Sequence, residues 1–496
     1  MTSETARRPR TARRTWLAIG AVLSLAAVLA PLAGLSPVLP VFLALVGVVA
    51  VRPVPGLSYV ALVLTVPLGL WFVGLEELVG DAFGGRDYVL SISASLVVGV
   101  LFTLTVARGR WHRRHLVAAA VAVVVLGVWS LLGIDHHGVA QTLVGVRLMV
   151  VPLLLLVVLA ALPGDRLATL VTVMSWLLVA NAVASIAELL VGPARLVQWG
   201  FEEGRAVRYI GETFRVPGLT EFNGELGILA GAYLLGYLTL WLTPGARPTR
   251  WSWHLGGSAA LLCLALSTSR SGALLVAAGV VAAVVVNRSG GAAARRRARL
   301  LGLAVVACLV VAFVAVGATG ARSLFDRFEV WSVLLSDDLP PWGQGIGSVG
   351  AATSSRIASG QQIFVDNYFV SLALQLGPVL AVAVVVALGW ALWRLWRRGA
   401  EDQTAVPPTA ILVGLACASL MIEAWEYPGA MMCLALFLAY ALRPAPAPAP
   451  PAPVLPPAPR IPVPVLPPPP SIPAPADPVP PVATPAGPVP DEQPRR

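Results

Sequence analysis

Lysine is absent from the sequence, so all 35 basic residues are arginine. Charge of either sign is also scarce, because charged residues make up 12% of the 496 residues and apolar residues make up 57%. A soluble domain carries roughly twice that charged fraction. The composition therefore excludes an ordinary soluble chain. The heavy use of Ala, Val, Leu, Gly and Pro, together with the missing lysine, indicates a GC-rich genome and hence a bacterial source.

Cysteine and histidine are few, and neither is arranged for chemistry. All four cysteines lie in apolar segments, where they are interpreted as small packing residues without a redox or metal role. The histidines show no spacing that is typical of a metal site. Without lysine there is no Walker phosphate-binding loop, and no Gly-x-Ser-x-Gly elbow occurs. We therefore expect no cofactor and no metal.

Apolar runs of about 15 to 25 residues recur from residue 16 to residue 442, and each is long enough to cross or nearly cross a membrane. Backbone polar groups in lipid must be satisfied within their own segment, and the alternation of a membrane barrel is missing, so the runs predict helices. The predicted fold class is all-α, a polytopic membrane helix bundle of about 12–14 transmembrane helices. The predicted spans are 16–34, 38–51, 57–75, 88–107, 115–133, 139–162, 167–191, 221–242, 253–268, 271–286, 300–318, 369–393, 408–425 and 428–442.

The arginines set an orientation through the positive-inside rule. The basic N-terminus 1–15 is assigned to the cytoplasm, and the spans of the membrane domain 16–442 alternate from there. This alternation predicts a large external loop at 319–368. It places the strongly basic loops inside, at 108–115, 163–166, 244–250, 287–299 and 394–403. The net charge of +10 is explained by orientation, so no nucleic-acid partner is expected.

The C-terminal segment 443–496 consists mostly of proline and alanine. It has too few apolar side chains other than proline and valine to build a core. We predict a disordered cytoplasmic tail with an extended, polyproline-like backbone. A linker and a protein-docking strip are both compatible with this composition.

Four arginines are predicted at or near the external face, where positive charge is disfavoured. Arg147 lies inside a predicted span, while Arg215, Arg270 and Arg327 lie in links between spans. Snorkelling to headgroups would also explain Arg147, and an ordinary loop role would explain Arg270. Because few carboxylates lie nearby in sequence, we expect an anionic ligand as partner, and guanidinium groups bind phosphate oxygens in pairs.

The glycines of "WGQGIGS" (342–348) raise a separate possibility. Successive backbone N–H groups in such a segment can form a cradle for phosphate. A plain external turn explains the same residues equally well. The sequence leaves the two interpretations open.

Short motifs follow one another in a defined order between residues 140 and 440. They are "RVPGLTEFNGELG" (215–227), "STSRSG" (267–272), "RFEVW" (327–331), "GQGIG" (343–347) and "DNYFVSLALQLG" (366–377). Their order, spacing and shared side resemble the O-antigen ligase and O-antigen polymerase superfamily. Each motif is short, and it is the combination that carries the resemblance.

The resemblance implies a membrane glycosyltransferase of the GT-C type that is inverting and independent of metal. It would polymerise or transfer undecaprenyl-diphosphate-linked oligosaccharide units on the outer face of the bacterial cytoplasmic membrane during surface polysaccharide synthesis. Implied partners are the lipid-linked glycan, membrane lipid, a chain-length regulator and other envelope assembly proteins. Ligases of the superfamily typically carry a histidine in the second large external loop. The loop 319–368 has none, which favours a polymerase.

Roles follow from the chemistry that the resemblance implies. Asp366 is the first choice to accept the proton of the acceptor hydroxyl, and Glu221 is the second. Arg270 and Arg215 would stabilise the charge that develops on the leaving diphosphate. The substrate-binding candidates are Arg147, Arg327, Asn223, Glu221, Asn367, Tyr368 and Trp331, with asparagines at sugar hydroxyls and aromatic rings on sugar faces. Helix capping would also explain Asp366 and Glu221, and interfacial anchoring would explain the aromatics.

Three other functions compete with a polymerase. The first is a ligase that moves finished glycan to an acceptor. The second is a transporter or flippase of lipid-linked glycan, although no inverted repeat is visible and the polar motifs gather on one face. The third is a membrane scaffold that uses the proline-rich tail, which leaves the external arginines unexplained.

Overall fold

The computed structural model describes residues 113–443, apart from short gaps. The gaps are 163, 200, 202, 204–206, 211, 221, 244–245, 288–291, 293–295, 297–298, 301, 304–322, 337–338, 351 and 354–364. The N-terminus 1–15, the first four predicted spans, most of the span 300–318, Glu221 and the tail beyond residue 443 lie outside the described residues.

Helices make up most of the described chain. They are α1 Arg113–His137, α2 Val139–Ala161, α3 Gly164–Val191, α4 Pro193–Gln198, α5 Asn223–Leu242, α6 Trp251–Ser267, α7 Arg270–Val286, α8 Ser323–Ser336, α9 Tyr368–Leu376, α10 Pro378–Arg398, α11 Val406–Ala418 and α12 Pro428–Ala441. Two 3-10 turns, Gln403–Ala405 and Ala424–Glu426, precede α11 and α12. The described strands form one antiparallel hairpin, β1 Arg208–Ile210 and β2 Thr213–Arg215, which pairs Arg208 with Arg215.

Four of the described helices are long and apolar enough to cross a membrane. They are the Ala120–His137 part of α1 and the helices α3, α5 and α10. Shorter apolar helices are Gln141–Val157 within α2, α7, Gln403–Ala418 and α12. The mostly helical character and the apolar, span-length helices are thus confirmed. The predicted spans 139–162 and 271–286 correspond closely to α2 and α7.

Two predicted spans are wrong as continuous helices. The span 369–393 is divided at Gly377, whose φ of 87° lies in the left-handed region, and Pro378 then begins α10. A Cβ at Gly377 would collide with the backbone of residues 341–343, so only glycine fits this break. The span 408–425 ends early, at Ala418, because Glu423 and Glu426 occupy a turn before α12.

The main core is built around α5, whose residues are buried on nearly every side. Tyr233 in its middle packs edge-to-face on Phe437 of α12, with ring centroids 5.1 Å apart, and its hydroxyl lies 2.6 Å from Ser175 Oγ of α3. Glycines let α5 and α7 approach closely, since a Cβ on Gly231 would lie 2.7 Å from the carbonyl oxygen of Gly272. Close packing through glycine therefore fixes the spacing of the central helices.

We expect Gly231→Ala to lower the free energy of unfolding by about 1–3 kcal/mol, because the new methyl group meets backbone that cannot rotate away. Gly127→Ala in α1 is the matched control, since nothing lies within 4 Å of a Cβ there. Alanine favours a helix over glycine, so the control should be neutral or slightly more stable. Thermal unfolding in detergent measures both. Equal melting temperatures for Gly231→Ala and the wild type would contradict the close packing.

Candidate functional site

Charged residues from distant segments converge where α5, α7, α9 and α12 begin. Arg208, Arg270 and Arg327 are close enough to Arg215 for their charges to act on its guanidinium. We call these four residues the arginine side. The hydroxyl of Tyr427 lies near a carboxylate side of four acidic residues, Glu225, Asp366, Glu423 and Glu426. The two sides together form the candidate site.

Arg215 is held by the turn between α6 and α7. Its Nε donates to Thr268 Oγ1 at 3.0 Å, and its Nη2 donates to the Thr268 carbonyl oxygen at 3.4 Å. Burial, together with the positive charges of Arg208, Arg270 and Arg327, lowers the pKa of Arg215 to about 10. Arg215 stays protonated at neutral pH. Burial is the larger cause, and an anion would offset the part that comes from the neighbouring positive charges.

The predicted tight link "STSRSG" is a helix–helix turn, as expected. Thr268 adopts the left-handed conformation with a φ of 49°, and Ser269 caps α7 by accepting a hydrogen bond from the Gly272 N–H at 3.4 Å. Arg270 is the first residue of α7 and is half-buried. The cap thus fixes where the Arg270 side chain leaves the backbone.

Asn223 opens α5 beside this turn and is 1% exposed. Its Nδ2 donates to the Ser267 carbonyl oxygen at 3.1 Å. Its Oδ1 is buried and has no hydrogen-bond partner among the described residues. A buried acceptor without a partner is costly, so a donor from a ligand would be well placed here.

The backbone before α5, at Gly218 and Leu219, is held by two side chains of α3. Glu188 Oε2 accepts a hydrogen bond from the Gly218 N–H at 2.8 Å, and Asn181 Oδ1 accepts from the Leu219 N–H at 3.1 Å. Gly218 itself has a φ of 62°. The sequence analysis missed Glu188 and Asn181. The available signal was the seven-residue spacing of two polar residues in an apolar span, which puts both on one helix face.

Arg327 and Asp366 join the two sides of the site. Arg327 Nη2 lies 3.1 Å from Asp366 Oδ2, and its Nη1 donates to the Met421 carbonyl oxygen at 3.2 Å. The two side chains are 33% and 41% exposed, so the pair orients the carboxylate more than it stabilises the fold. Asp366 has a φ of 50°, an unusual conformation for a residue other than glycine.

The helix cap of α9 is Asn367, and the alternative that Asp366 caps this helix is wrong. Asn367 Oδ1 accepts hydrogen bonds from the Phe369 N–H at 2.9 Å and the Val370 N–H at 3.2 Å. That oxygen is therefore already engaged within the protein, and the predicted contact of Asn367 with a sugar hydroxyl stays a prediction. The Asp366 carboxylate contacts Arg327 instead of capping the helix.

Glu423 is another residue of the candidate site that the sequence analysis missed. It is 5% exposed, and its Oε1 accepts hydrogen bonds from the Val365 N–H at 3.3 Å and the Asp366 N–H at 3.1 Å. Burial, together with the nearby charge of Asp366, raises the pKa of Glu423 to about 7. Placing residue 423 inside a continuous span concealed it. The signal was its neighbour three residues on, Glu426, in an otherwise apolar run.

Glu426 is buried on the same turn, at 6% exposure, with its Oε2 only 2.9 Å from where a Cβ on Gly350 would stand. Glu225 thus lies near Tyr427 together with Glu423 and Glu426, although about 200 residues separate it from them in sequence.

The predicted aromatic residues are fixed by hydrogen bonds and stacking. Trp331 Nε1 donates to the Val365 carbonyl oxygen at 2.6 Å. The backbone N–H of Tyr368 donates to the Ser419 carbonyl oxygen at 2.8 Å, and its ring stacks on Trp425 with centroids 6.5 Å apart. Both predicted aromatics thus border the segment that carries Asp366.

Arg147 lies on α2, which packs against the 3-10 turn Ala424–Glu426. Trp425 Nε1 from that turn donates to the carbonyl oxygen of Met149, two residues after Arg147, at 3.3 Å. Arg147 is half-buried in the helix. The structure therefore brings α2 to the same end of the bundle as the other candidates.

The segment "WGQGIGS" is a packing turn. The N–H groups of Gln344 and Gly345 donate to the carbonyl oxygens of Leu374 and Gln375 at 2.8 and 3.1 Å. The Gly347 N–H donates to Gln375 Oε1 at 2.9 Å. Because these donors are already used within the protein, the phosphate-cradle interpretation is wrong. The turn holds α9 against α1 and α2.

Comparisons with protein-family models, curated proteins and solved structures find no match to this chain. The resemblance to the O-antigen superfamily therefore stays a prediction from its motifs. Within the described residues, no group of three or more His, Cys, Asp or Glu side chains is placed to hold a metal ion.

The raised pKa of Glu423 predicts a pH-dependent stability. The folded carboxyl keeps its proton up to a pH of about 7, whereas an ordinary glutamate loses it near 4.5. The folded state therefore binds more protons between these values, and this contribution to stability is lost as the pH rises through about 7. Melting temperatures at pH 5 to 8 should fall more steeply for the wild type than for Glu423→Gln, whose amide oxygen still accepts both N–H groups.

A difference between the two proteins that is constant across this pH range would contradict a buried, titrating Glu423. Glu423→Ala supplies the second comparison, because it leaves two backbone donors without their acceptor. We expect it to be less stable than Glu423→Gln by about 1–3 kcal/mol at pH 5.

Proposed function

We propose that the protein is a membrane glycosyltransferase that polymerises undecaprenyl-diphosphate-linked oligosaccharide units. One observation carries the proposal. The Arg327–Asp366 contact joins four mutually repelling arginines to a carboxylate pair, the partly exposed Asp366 and the buried Glu423. A lipid-linked sugar diphosphate has matching parts, an anionic leaving group and neutral sugars. The motif order between residues 140 and 440 supports the same class.

The chemistry would be a single displacement at the anomeric carbon. The acceptor hydroxyl oxygen forms the new bond to that carbon while the bond from carbon to the diphosphate oxygen breaks, which inverts the configuration. The diphosphate leaves with the bonding electron pair, and Arg215 and Arg270 stabilise its growing charge. The hydroxyl proton passes to Asp366, whose carboxylate is partly exposed and contacts Arg327.

Other groups would hold the substrate during this step. Asn223 Oδ1 offers an acceptor for a sugar hydroxyl, and Trp331 and Tyr368 lie beside the segment that carries the base. Arg147 would extend the arginine side from α2. Glu423 positions Asp366 by accepting its backbone N–H, and it is not expected to contact the sugar.

The proposed location is the outer face of the bacterial cytoplasmic membrane. Support comes from the basic loops, whose alternation places the N-terminal ends of α5, α7 and α12 on the side opposite to the arginine-rich loops. A polymerase is preferred to a ligase because residues 319–368 contain no histidine. The tail 443–496 is proposed to lie in the cytoplasm. A chain-length regulator is a proposed partner.

Asp366→Asn tests the base. Asparagine tolerates the left-handed conformation and has the same size, so the fold should survive while proton acceptance is lost. In a strain that lacks the chromosomal gene, we expect polymer formation to fall by about 10²–10⁴-fold with the protein still present in the membrane. Asp366→Glu should retain part of the activity. Full-length polymer made by Asp366→Asn at the wild-type rate would rule out Asp366 as the base.

Arg270→Ala tests the arginine side and should reduce polymer formation by about 10²–10³-fold. Arg270→Lys keeps the charge but removes the planar fork, so it should lie between Arg270→Ala and the wild type. Arg195→Ala, on the exposed surface of α4 and outside the arginine side, is the control and should retain activity. Unchanged glycan length in both Arg270→Ala and Arg147→Ala would disprove the catalytic proposal.

The deletion strain also separates the competing functions. Short lipid-linked units that accumulate outside indicate a polymerase. Complete polymer that stays on its lipid indicates a ligase, and units trapped on the cytoplasmic side indicate a flippase.

A further inference from the structure

The helix α10 (Pro378–Arg398) lies almost entirely exposed. Of its 21 residues only Ala381 is buried, although the helix is long and apolar enough to cross a membrane. Valines dominate its first half, with Val379 and Val386 at 70% and 64% exposure. Its last nine residues, "WALWRLWRR" (390–398), contain three tryptophans and three arginines. The helix therefore has an apolar length and a distinct amphipathic end.

Two arginines at this end stack on tryptophan rings. The Cζ atom of Arg394 lies 4.3 Å from the ring centroid of Trp390, and that of Arg397 lies 4.2 Å from the ring centroid of Trp393. Each pair is four residues apart, so all four side chains share one helix face. We call this set of two tryptophans and two arginines the Trp–Arg face. The tryptophans remain 55% and 49% exposed.

Stacking leaves the guanidinium groups able to bind an anion. A guanidinium that lies over an indole ring uses its flat face, while its N–H donors point outward in its own plane. Within the described part of the chain, neither Arg394 nor Arg397 has a carboxylate within salt-bridge distance. The two arginines are three residues apart, about 4.5 Å along the helix axis. That separation places two donor forks beside a single phosphate-sized group.

We propose that the Trp–Arg face binds the phosphate of an anionic phospholipid headgroup. The indole rings identify the source of the phosphate, because tryptophan prefers the level of the headgroups at the end of a membrane-crossing helix. The valine length of α10 would lie along the acyl chains of the same lipid. Arginine near a membrane surface attracts anionic lipid, and the stacked geometry converts this attraction into a local site.

This proposal does not depend on the proposed transferase activity. The face lies on α10, whose C-terminal end contributes no residue to the arginine side or to the carboxylate side. Its phosphate ligand would be a structural or regulatory lipid of the surrounding membrane and not the glycan donor.

The test uses the purified full chain in detergent, titrated with phosphatidylglycerol or with phosphatidylcholine. Native mass spectrometry counts the bound lipid, and thermal unfolding measures its stabilising effect. We expect the wild type to prefer phosphatidylglycerol by about 25-fold, on the basis of roughly fivefold for each of the two arginines. The double variant Arg394→Gln/Arg397→Gln should lose this preference and retain its melting temperature in phosphatidylcholine, because both side chains lie on the surface.

Arg398→Gln is the matched control, since Arg398 lies on the same helix end and stacks on no described ring. It should retain most of the preference. Trp390→Leu/Trp393→Leu keeps both arginines and removes the indole rings on which they stack. It should therefore lose part of the preference for phosphatidylglycerol. An equal loss in Arg398→Gln and in the double arginine variant would reduce the proposal to diffuse attraction and overturn it. No headgroup preference in the wild type would also overturn it and would indicate that another protein segment covers the face.

Discussion

The candidate site depends on one buried acceptor, the carboxylate of Glu423. Its Oε1 accepts the backbone N–H groups of Val365 and Asp366, at a point where the chain is in the left-handed region and belongs to neither a helix nor a strand. Without this acceptor, two buried donors would lack a partner. This acceptor holds the backbone of Asp366 in place. From that position the Asp366 carboxylate contacts Arg327. The next residue, Asn367, caps α9.

The candidate site gathers eight charged residues, four arginines and four carboxylates, from several segments of the chain. The Arg327–Asp366 contact joins the two groups and offsets part of the repulsion among the arginines. Burial and the neighbouring positive charges lower the pKa of Arg215. Such an arrangement is unfavourable for the empty fold but favourable for an anion, since local like charges raise the affinity for an opposite one. The turn 342–348 carries no charged residue and holds α9 against α1 and α2.

The helices were predictable from apolar run length, because that property is averaged over many residues and tolerates local exceptions. The candidate site, however, is formed by residues at local breaks in these apolar runs. Averaging concealed Glu423 within the predicted span 408–425, and it joined α9 to α10 across Gly377. Capping depends on a single φ angle, so the sequence could not show that Asn367 caps α9 while Asp366 turns left-handed. Arg215, Arg270, Arg327 and Asp366 lie close together in the structure, and their links were predicted on one side of the membrane from the alternation of spans. Their partners on α3 and before α12 come from distant sequence, and only packing reveals them.

The division of the site into two charged sides has a consequence for biosynthesis. Every residue of the arginine side precedes residue 328, whereas Asp366, Glu423 and Glu426 are made later. A nascent chain that has inserted its helices through α8 thus carries the positive cluster before most of the carboxylates exist. Chains fold from the N-terminus during synthesis, so this intermediate already holds Arg215 against Thr268 but lacks Asp366. The ion pair between Arg327 and Asp366 can therefore form only after the chain beyond α8 has been made.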